Sequence, residues 1–321
     1  VRSASRFYRV NLSVGAVATA ALAFALASAW RLVDLGVPSA HNLLKACRHV
    51  VFSGETVISL VVLTVTGTCF WVLVLAIRSG LRHYRAQRVA LSKLTVQYEA
   101  RYRGVGLTVF THEHPEAFSA GLLKPRLYLS SGALHHIETA ELAAVIEHEV
   151  HHCDRRDPLR LLIVHLLSES LFFLPAMHRL SQRYRTLAEL AADDAAVSMG
   201  SCPGTLAAAL LAFTEGTRPG VVGIAPERVD HLLGERAHWH LPVALLACTL
   251  VTLVVLMTTA LVLIYTVAPG DLSFSTMTAQ ACMVLMSWVP GACENPMDIV
   301  PFTLGVGAVA IAYRSHKKRY A

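Results

Sequence analysis

The residues best suited to chemistry form one run, Glu147-His148-Glu149-Val150-His151-His152. On a helix the i, i+4 spacing puts His148 and His152 on one face, where two imidazole nitrogens can bind a tetrahedral Zn2+ at about 2.0–2.1 Å. Glu149 then lies beside the ion without ligating it, placed to take a proton from water that the metal activates and to return it to a leaving amine. Surface helices also carry His and Glu freely, so the run alone leaves a solvated polar face as an equal reading. A second stretch, Glu189-Leu-Ala-Ala-Asp193, tips the balance. Glu189 offers the carboxylate that completes a His2Glu set with an open fourth position, and Asp193, one turn on, can hydrogen-bond a ligating imidazole. Taken by itself this stretch could be an acidic solvent face, since Asp194 follows directly.

The elements that must position these residues are partly readable. A helix enters at Thr139 as N-cap, carries Glu141 in its first turn and stops at Asp157-Pro158. Residues 106–110 and 126–130 have the pattern of short strands, the second alternating Leu127 and Leu129 against Arg126, Tyr128 and Ser130. Between the zinc helix and Glu189 lies 159–174, apolar but interrupted by His165 and Glu169. A single membrane crossing there would separate Glu189 from His148, so the segment must be re-entrant, interfacial or packed against the core, or else the site lies at membrane depth. His165 and Glu169 read as satisfied polar groups on a packed helix. His112, His114, His135, His136, His151, His231, His238 and His240 read as solvated polar surface. An oxyanion needs a partner opposite the metal, and His178, Arg183, Tyr184 and Arg185 are near enough in sequence to Glu189 to supply it.

The 321 residues are 54% hydrophobic and 16% charged, with a mean hydropathy of +0.50, too apolar for an ordinary soluble domain. The net charge of +6 would suit nucleic acid, but the basic residues cluster at the ends of apolar runs, where they set topology instead. Four spans are predicted, at 14–33, 57–77, 243–267 and 299–313. The first approaches spanning length and lacks a clear cleavage site, which separates it from a signal peptide. Arg78, Arg82, Arg85, Arg88 and Lys93 after the second span, and Arg314, Lys317, Lys318 and Arg319 after the fourth, put both termini and the intervening region in the cytoplasm. The expected organisation is a transmembrane hairpin (1–78), a cytoplasmic catalytic region (79–241) with a membrane-associated helix near 159–174, and a second hairpin (242–321) with an external loop at 268–298. The fold class is a mostly α, multi-pass membrane protein, four transmembrane helices around an α+β core with a small sheet. The seven Cys form no Cys-x-x-Cys pattern; Cys282 and Cys293 can pair in the external loop, with Cys47 as a competing partner.

His148-Glu149-x-x-His152 followed by Glu189-x-x-x-Asp193 resembles the gluzincin-type integral-membrane peptidases. It looks most like the BlaR/MecR-type sensor-transducers, with the HtpX and CAAX-protease group as cousins. Pro115-Glu-Ala-Phe-Ser-Ala-Gly121, Pro125-Arg-Leu-Tyr-Leu-Ser130, Glu141-Leu-x-Ala-Val-Ile and Asp157-Pro158 are similar to the same group. The resemblance implies a zinc-dependent endopeptidase acting at the cytoplasmic face, with Glu189 as third ligand. It also implies a substrate peptide added to the strand containing Arg126, Leu127, Tyr128 and Leu129. By analogy the substrate is a protein such as a transcriptional repressor, or the chain itself. The partners are then that substrate, the lipid bilayer and a second copy in a homodimer, with no direct nucleic acid. The penicillin-binding sensor domain of the sensor-transducers is expected to be missing, and the lone Ser-x-x-Lys match at Ser315 reads as chance. Three other readings stay open: an HtpX-like quality-control protease, a signalling or scaffold protein with a structural zinc site, and a transporter. Glu149, which a structural site does not require, argues against the scaffold, and the scarcity of ionisable residues in the spans argues against the transporter.

Overall fold

The computed structural model describes residues 2–31, 33–34, 54–215, 226–234, 242–266 and 272–273. The predicted fourth span at 299–313, Cys47, Cys282, Cys293, His238 and His240 lie outside the described residues. In chain order the elements begin with α1 (Arg2–Trp30), β1 (Val33–Asp34), α2 (Gly54–Ser92), β2 (Val96–Tyr102), β3 (Val105–Phe110), β4 (Ala117–Ala120) and β5 (Arg126–Ser130). They continue with α3 (Ser131–His136), α4 (Thr139–Arg155), α5 (Asp157–Ser170), α6 (Pro175–Ser198), α7 (Pro203–Glu215), α8 (Pro226–Leu232), α9 (Val243–Thr266) and β6 (Leu272–Ser273).

Among the described residues three helices are long and apolar enough to cross a bilayer: Ser3–Trp30 of α1, Leu60–Ser92 of α2 and Val243–Val262 of α9. They fall where the sequence placed the first three spans, although α1 starts well before residue 14 and α2 runs on to Ser92. Phe70, Leu73 and Ile77 on α2, and Leu250, Val251 and Val255 on α9, are each more than half exposed, which suits lipid rather than water.

The chain divides into two compact units, 16–75 with 249–321, and 1–15 with 76–248. In the former, β1 pairs in parallel with β6, Val33 opposite Leu272. The latter carries the motifs. It also takes in the first 15 residues, which the sequence assigned to a separate hairpin, because Ala4 and Phe7 are buried with Ala176, Leu180, Tyr184 and Leu187 of α6.

The sheet has the order β2-β3-β5-β4, with β3 and β5 parallel and the outer strands antiparallel to their neighbours. Strands β3 and β5 are the two foreseen; β2 and β4 were not. The position of β5 corrects one expectation. Arg126, Leu127, Tyr128 and Leu129 pair with β3 on one side and β4 on the other, so their backbone groups are already used and no peptide can add there. Leu127 and Leu129 are fully buried, Arg126 donates to Glu99 Oε2 at 2.8 Å, and Tyr128 stacks on Phe118.

Ser130 joins the sheet to the helices. Its hydroxyl caps α3 by accepting from Ala133 N at 3.0 Å, accepts from Glu116 N at 2.8 Å and donates to the His114 carbonyl at 2.8 Å. The loop so held lies directly on Gly132, where a Cβ would collide with the Glu113 carbonyl. Helix α4 follows, with Glu138 rather than Thr139 at the N-cap and no side-chain cap bond. It ends at Arg156, a non-glycine residue in the left-handed region at φ 54 and ψ 42. That turn lets Asp157-Pro158 open α5, with proline in the first turn, where its missing N–H leaves no intrahelical bond unmade.

Helix α5 settles the path of the apolar segment. Its 14 residues rise about 21 Å, short of the ~30 Å hydrocarbon core. The chain then turns at the buried Leu171 and Leu174, and α6 packs back against α5. The motif residues therefore all lie in one compact unit. Gly132→Ala is expected to destabilise the protein by roughly 1–3 kcal/mol through overpacking, read as a lower thermal midpoint in detergent, whereas Gly67→Ala, with open space at its Cβ, is not.

Candidate metal centre

Helix α4 is the hub, packed by α6, α7 and the face formed by β3, β4 and β5. One turn apart on it, His148 and His152 are buried, and their Nε2 atoms lie 3.3 Å from each other. From α6, Glu189 brings Oε2 to 3.6 Å from His148 Nε2 and Oε1 to 3.7 Å from His152 Nε2. Tetrahedral bonds of about 2.0–2.1 Å place donor atoms about 3.4 Å apart, so these three side chains match the spacing of a His2Glu set around one Zn2+. They form the one group of three or more metal-ligating side chains within such reach among the described residues.

Both rings are held from behind. His152 Nδ1 lies 2.9 Å from Asp157 Oδ2, and His148 Nδ1 lies 3.0 Å from Asp193 Oδ1. The Asp157 carboxylate, hydrogen-bonded to His152 Nδ1, fixes that ring and its tautomer and leaves Nε2 as the free lone pair, whereas Asp193 meets His148 as a close charge contact without hydrogen-bond alignment. Asp193 thus lies against a candidate ligating ring, one turn on from Glu189, where its spacing predicts it. Asp157 holds His152 from behind, although in the sequence it reads only as a helix stop and as part of the resemblance, with no role at a metal. The left-handed turn at Arg156 folds it back onto His152, and no spacing rule announces such a turn.

Arg228 of α8 was also missed. Its Nε donates to Asp193 Oδ2 at 2.9 Å and its NH2 to Asp193 Oδ1 at 2.6 Å, while NH1 lies 3.2 Å from Glu189 Oε2. One guanidinium thus holds both acidic members of the second motif in a fork that lysine cannot reproduce. The cations proposed from sequence are engaged elsewhere: Arg183 donates to Glu227, Arg185 contacts His165, and His178 contacts Gln182. Tyr184 is fully buried, with its hydroxyl donating toward Asp157 at 3.4 Å.

Glu149 faces the sheet. Burial pushes its carboxyl above the ordinary carboxylate value, while His152, His148 and a hydrogen bond from Ser119 of β4 pull the other way. The net rise makes it a better proton acceptor than a solvated glutamate. Burial also raises Glu189, but His148, His152 and Arg228 outweigh it and hold the carboxyl at about 2. For His148 burial opposes the charge, yet Asp193 and Glu189, aided by Glu149, raise the imidazolium to about 9. Beside the centre, Tyr102 and Arg103 of the β2–β3 hairpin both donate to Glu147 at 2.8 Å and so pin the sheet to α4.

Some histidines differ from their sequence reading. His151 is partly buried rather than solvated surface, and burial lowers it to about 4, so it stays neutral. His165 lies 3.5 Å from Glu169, which accepts from Arg82 at 3.0 Å; both are satisfied polar groups, as expected.

The metal-free His148 must lose its proton to become a ligand. Protons therefore compete with the ion below about pH 9, and affinity rises with pH toward that value. Zn2+ binding at pH 7.5 is expected to release about one proton, read by calorimetry in buffers of different ionisation enthalpy, with affinity rising up to about tenfold per pH unit between pH 7 and 9. A pH-independent affinity would contradict it.

A family model described as BlaR1 peptidase M56 matches residues 50–238, more than half of the chain. The chain matches no curated protein and no solved structure.

Proposed function

The chain belongs to the BlaR1 peptidase M56 family, and from that footing we propose that it is a membrane-embedded zinc endopeptidase that cleaves a protein at the cytoplasmic face. The observation that carries the reading is the meeting of His148, His152 and Glu189 within 4.8 Å, with Glu149 beside them on the same helix. The side chain of Glu189 is 37% exposed, which leaves the centre open to solvent and substrate as a purely structural site would not be.

Bound there, Zn2+ supplies Lewis-acid polarisation of water and of the scissile carbonyl. The rest falls to the chain's own residues. Glu149, its basicity raised by burial, takes the proton of the attacking water and passes it to the leaving amine. Asp157 keeps His152 in its ligating tautomer, Asp193 lies against His148, and Arg228 keeps Glu189 and Asp193 ionised and oriented. The substrate lies along β4 rather than β5. Strand β4 ends the sheet order, so its outer edge is free among the described residues, and it packs on α4 with Ser119 bonded to Glu149. A peptide added to that edge would pass in front of Glu149.

The cytoplasmic assignment rests on the basic residues that follow the second apolar run. Cysteine placed at Lys124, in the exposed β4–β5 turn, is expected to react with an impermeant maleimide in inverted vesicles and not in intact cells. The substrate is a protein, for which a transcriptional repressor and the chain itself are the leading classes.

Glu149→Gln is expected to keep Zn2+ and to lose cleavage by about 10²–10⁴-fold. Comparing protein termini in native membranes with and without the substitution identifies the substrate as the termini that vanish. Unchanged termini with metal retained would sink the peptidase reading.

A further inference from the structure

The 29 residues of α1 extend about 43 Å, more than the ~30 Å hydrocarbon core takes up, so part of the helix must project beyond it. Its first two turns are built into the motif-bearing unit through Ala4 and Phe7, which share a buried cluster with α6. The same turns carry two polar contacts that point toward the metal centre. The Ser5 hydroxyl accepts from Arg155 NH2 at 3.1 Å. The Tyr8 ring lies 5.4 Å from the ring of Tyr184 and 5.3 Å from the guanidinium of Arg160, which also bonds Tyr184.

Both contacts lead to one carboxylate. Tyr184 donates toward Asp157 Oδ1 at 3.4 Å, and Arg155 Nε lies 3.7 Å from the same oxygen. The other oxygen of Asp157 holds His152 Nδ1 at 2.9 Å. Asp157 is almost wholly buried, so no solvent can replace a partner that shifts. Burial and the Asp157 charge also keep the Tyr184 phenol protonated, so it stays a donor.

We propose that the first two turns of α1 position the metal ligand His152, with Tyr8 setting Tyr184, and Ser5 setting Arg155, against Asp157. A helix that enters the membrane thereby holds one of the two imidazoles, and a shift of its end would change metal affinity and turnover without touching substrate. This rests on the metallopeptidase reading and adds to it a positioning role for Ser5 and Tyr8.

The test uses the full chain in detergent or nanodiscs, with Tyr8→Leu, Tyr8→Phe, Asp157→Asn and the Tyr8→Leu/Asp157→Asn double variant. The readouts are Zn2+ affinity by chelator competition, the visible spectrum of the Co2+-loaded protein, and kcat and KM on one peptide. Tyr8→Leu is expected to weaken Zn2+ about tenfold, the low end for loss of support behind a ligating imidazole. It should also alter the Co2+ spectrum and lower kcat with KM held. Tyr8→Phe, which keeps the ring, restores all three. In the double variant Tyr8→Leu adds less than about twofold to the effect of Asp157→Asn, because both act on one ring. Wild-type Zn2+ affinity and Co2+ spectrum in Tyr8→Leu, or effects that multiply, overturn the proposal. Should Tyr8→Leu fail to fold, Ser5→Ala removes only a hydroxyl and is read in the same way: a two- to threefold weaker Zn2+ affinity supports the proposal and an unchanged one overturns it. A wild-type protein that binds no Zn2+ would refute the metallopeptidase reading itself, whereas normal Zn2+ binding indifferent to Tyr8 refutes only this inference.

Discussion

Two imidazole Nε2 atoms held 3.3 Å apart in a buried setting are the constraint from which the rest of the motif-bearing unit follows. Both must present lone pairs to one point, so neither ring can turn away, and each needs a fixed acceptor behind its Nδ1. Asp157 meets that need for His152 and Asp193 lies 3.0 Å from His148 Nδ1, but a buried carboxylate needs partners of its own. Those come from Tyr184 and Arg155 on one side and from the Arg228 fork on the other. Helices α5, α6 and α8 thus owe their placement around α4 to successive layers of polar satisfaction as much as to apolar packing.

The bilayer adds a second constraint. Ligands of one ion cannot come from opposite sides of a membrane, and the segment between His152 and Glu189 is apolar enough to suggest crossing. Helix α5 resolves the conflict by being too short and by turning back at Leu171 and Leu174. Its polar members, His165 and Glu169, meet Arg185 and Arg82. A lipid-facing helix could not keep those partners, whereas one packed in a protein body can.

The ligands were legible because helical periodicity is a local rule: four residues make one turn, so His148, His152 and the Glu189–Asp193 pair fall on their faces wherever the helices lie. The strands at β3 and β5 were legible from alternation. What stayed hidden depends on tertiary return. Strand β2 is exposed along its whole length and has no buried face to generate an apolar period, and β4 has only four residues. Pairing order is not written in the alternation of Arg126 to Ser130, so the strand that looks most regular proved interior, and its shorter neighbour forms the edge. Arg228 lies 35 residues from Asp193, a distance over which spacing carries no information. Asp157 was visible beside Pro158, but its role depends on the left-handed Arg156, which composition does not mark.

The charges of the centre are largely balanced within the chain itself. Glu149, Glu189, Asp157 and Asp193 crowd one region, and Arg228 offsets part of their charge. A fully deprotonated cluster of this kind would be costly to bury. The proton held on His148 up to about pH 9 supplies the next positive charge where the ion would otherwise provide it. Exchange of that proton for a divalent cation would change the net charge by only one, with Asp193 already beside the ring. The supporting shell is therefore assembled by the chain's own contacts, and loading a metal there would be a proton exchange at a site already formed rather than a folding step.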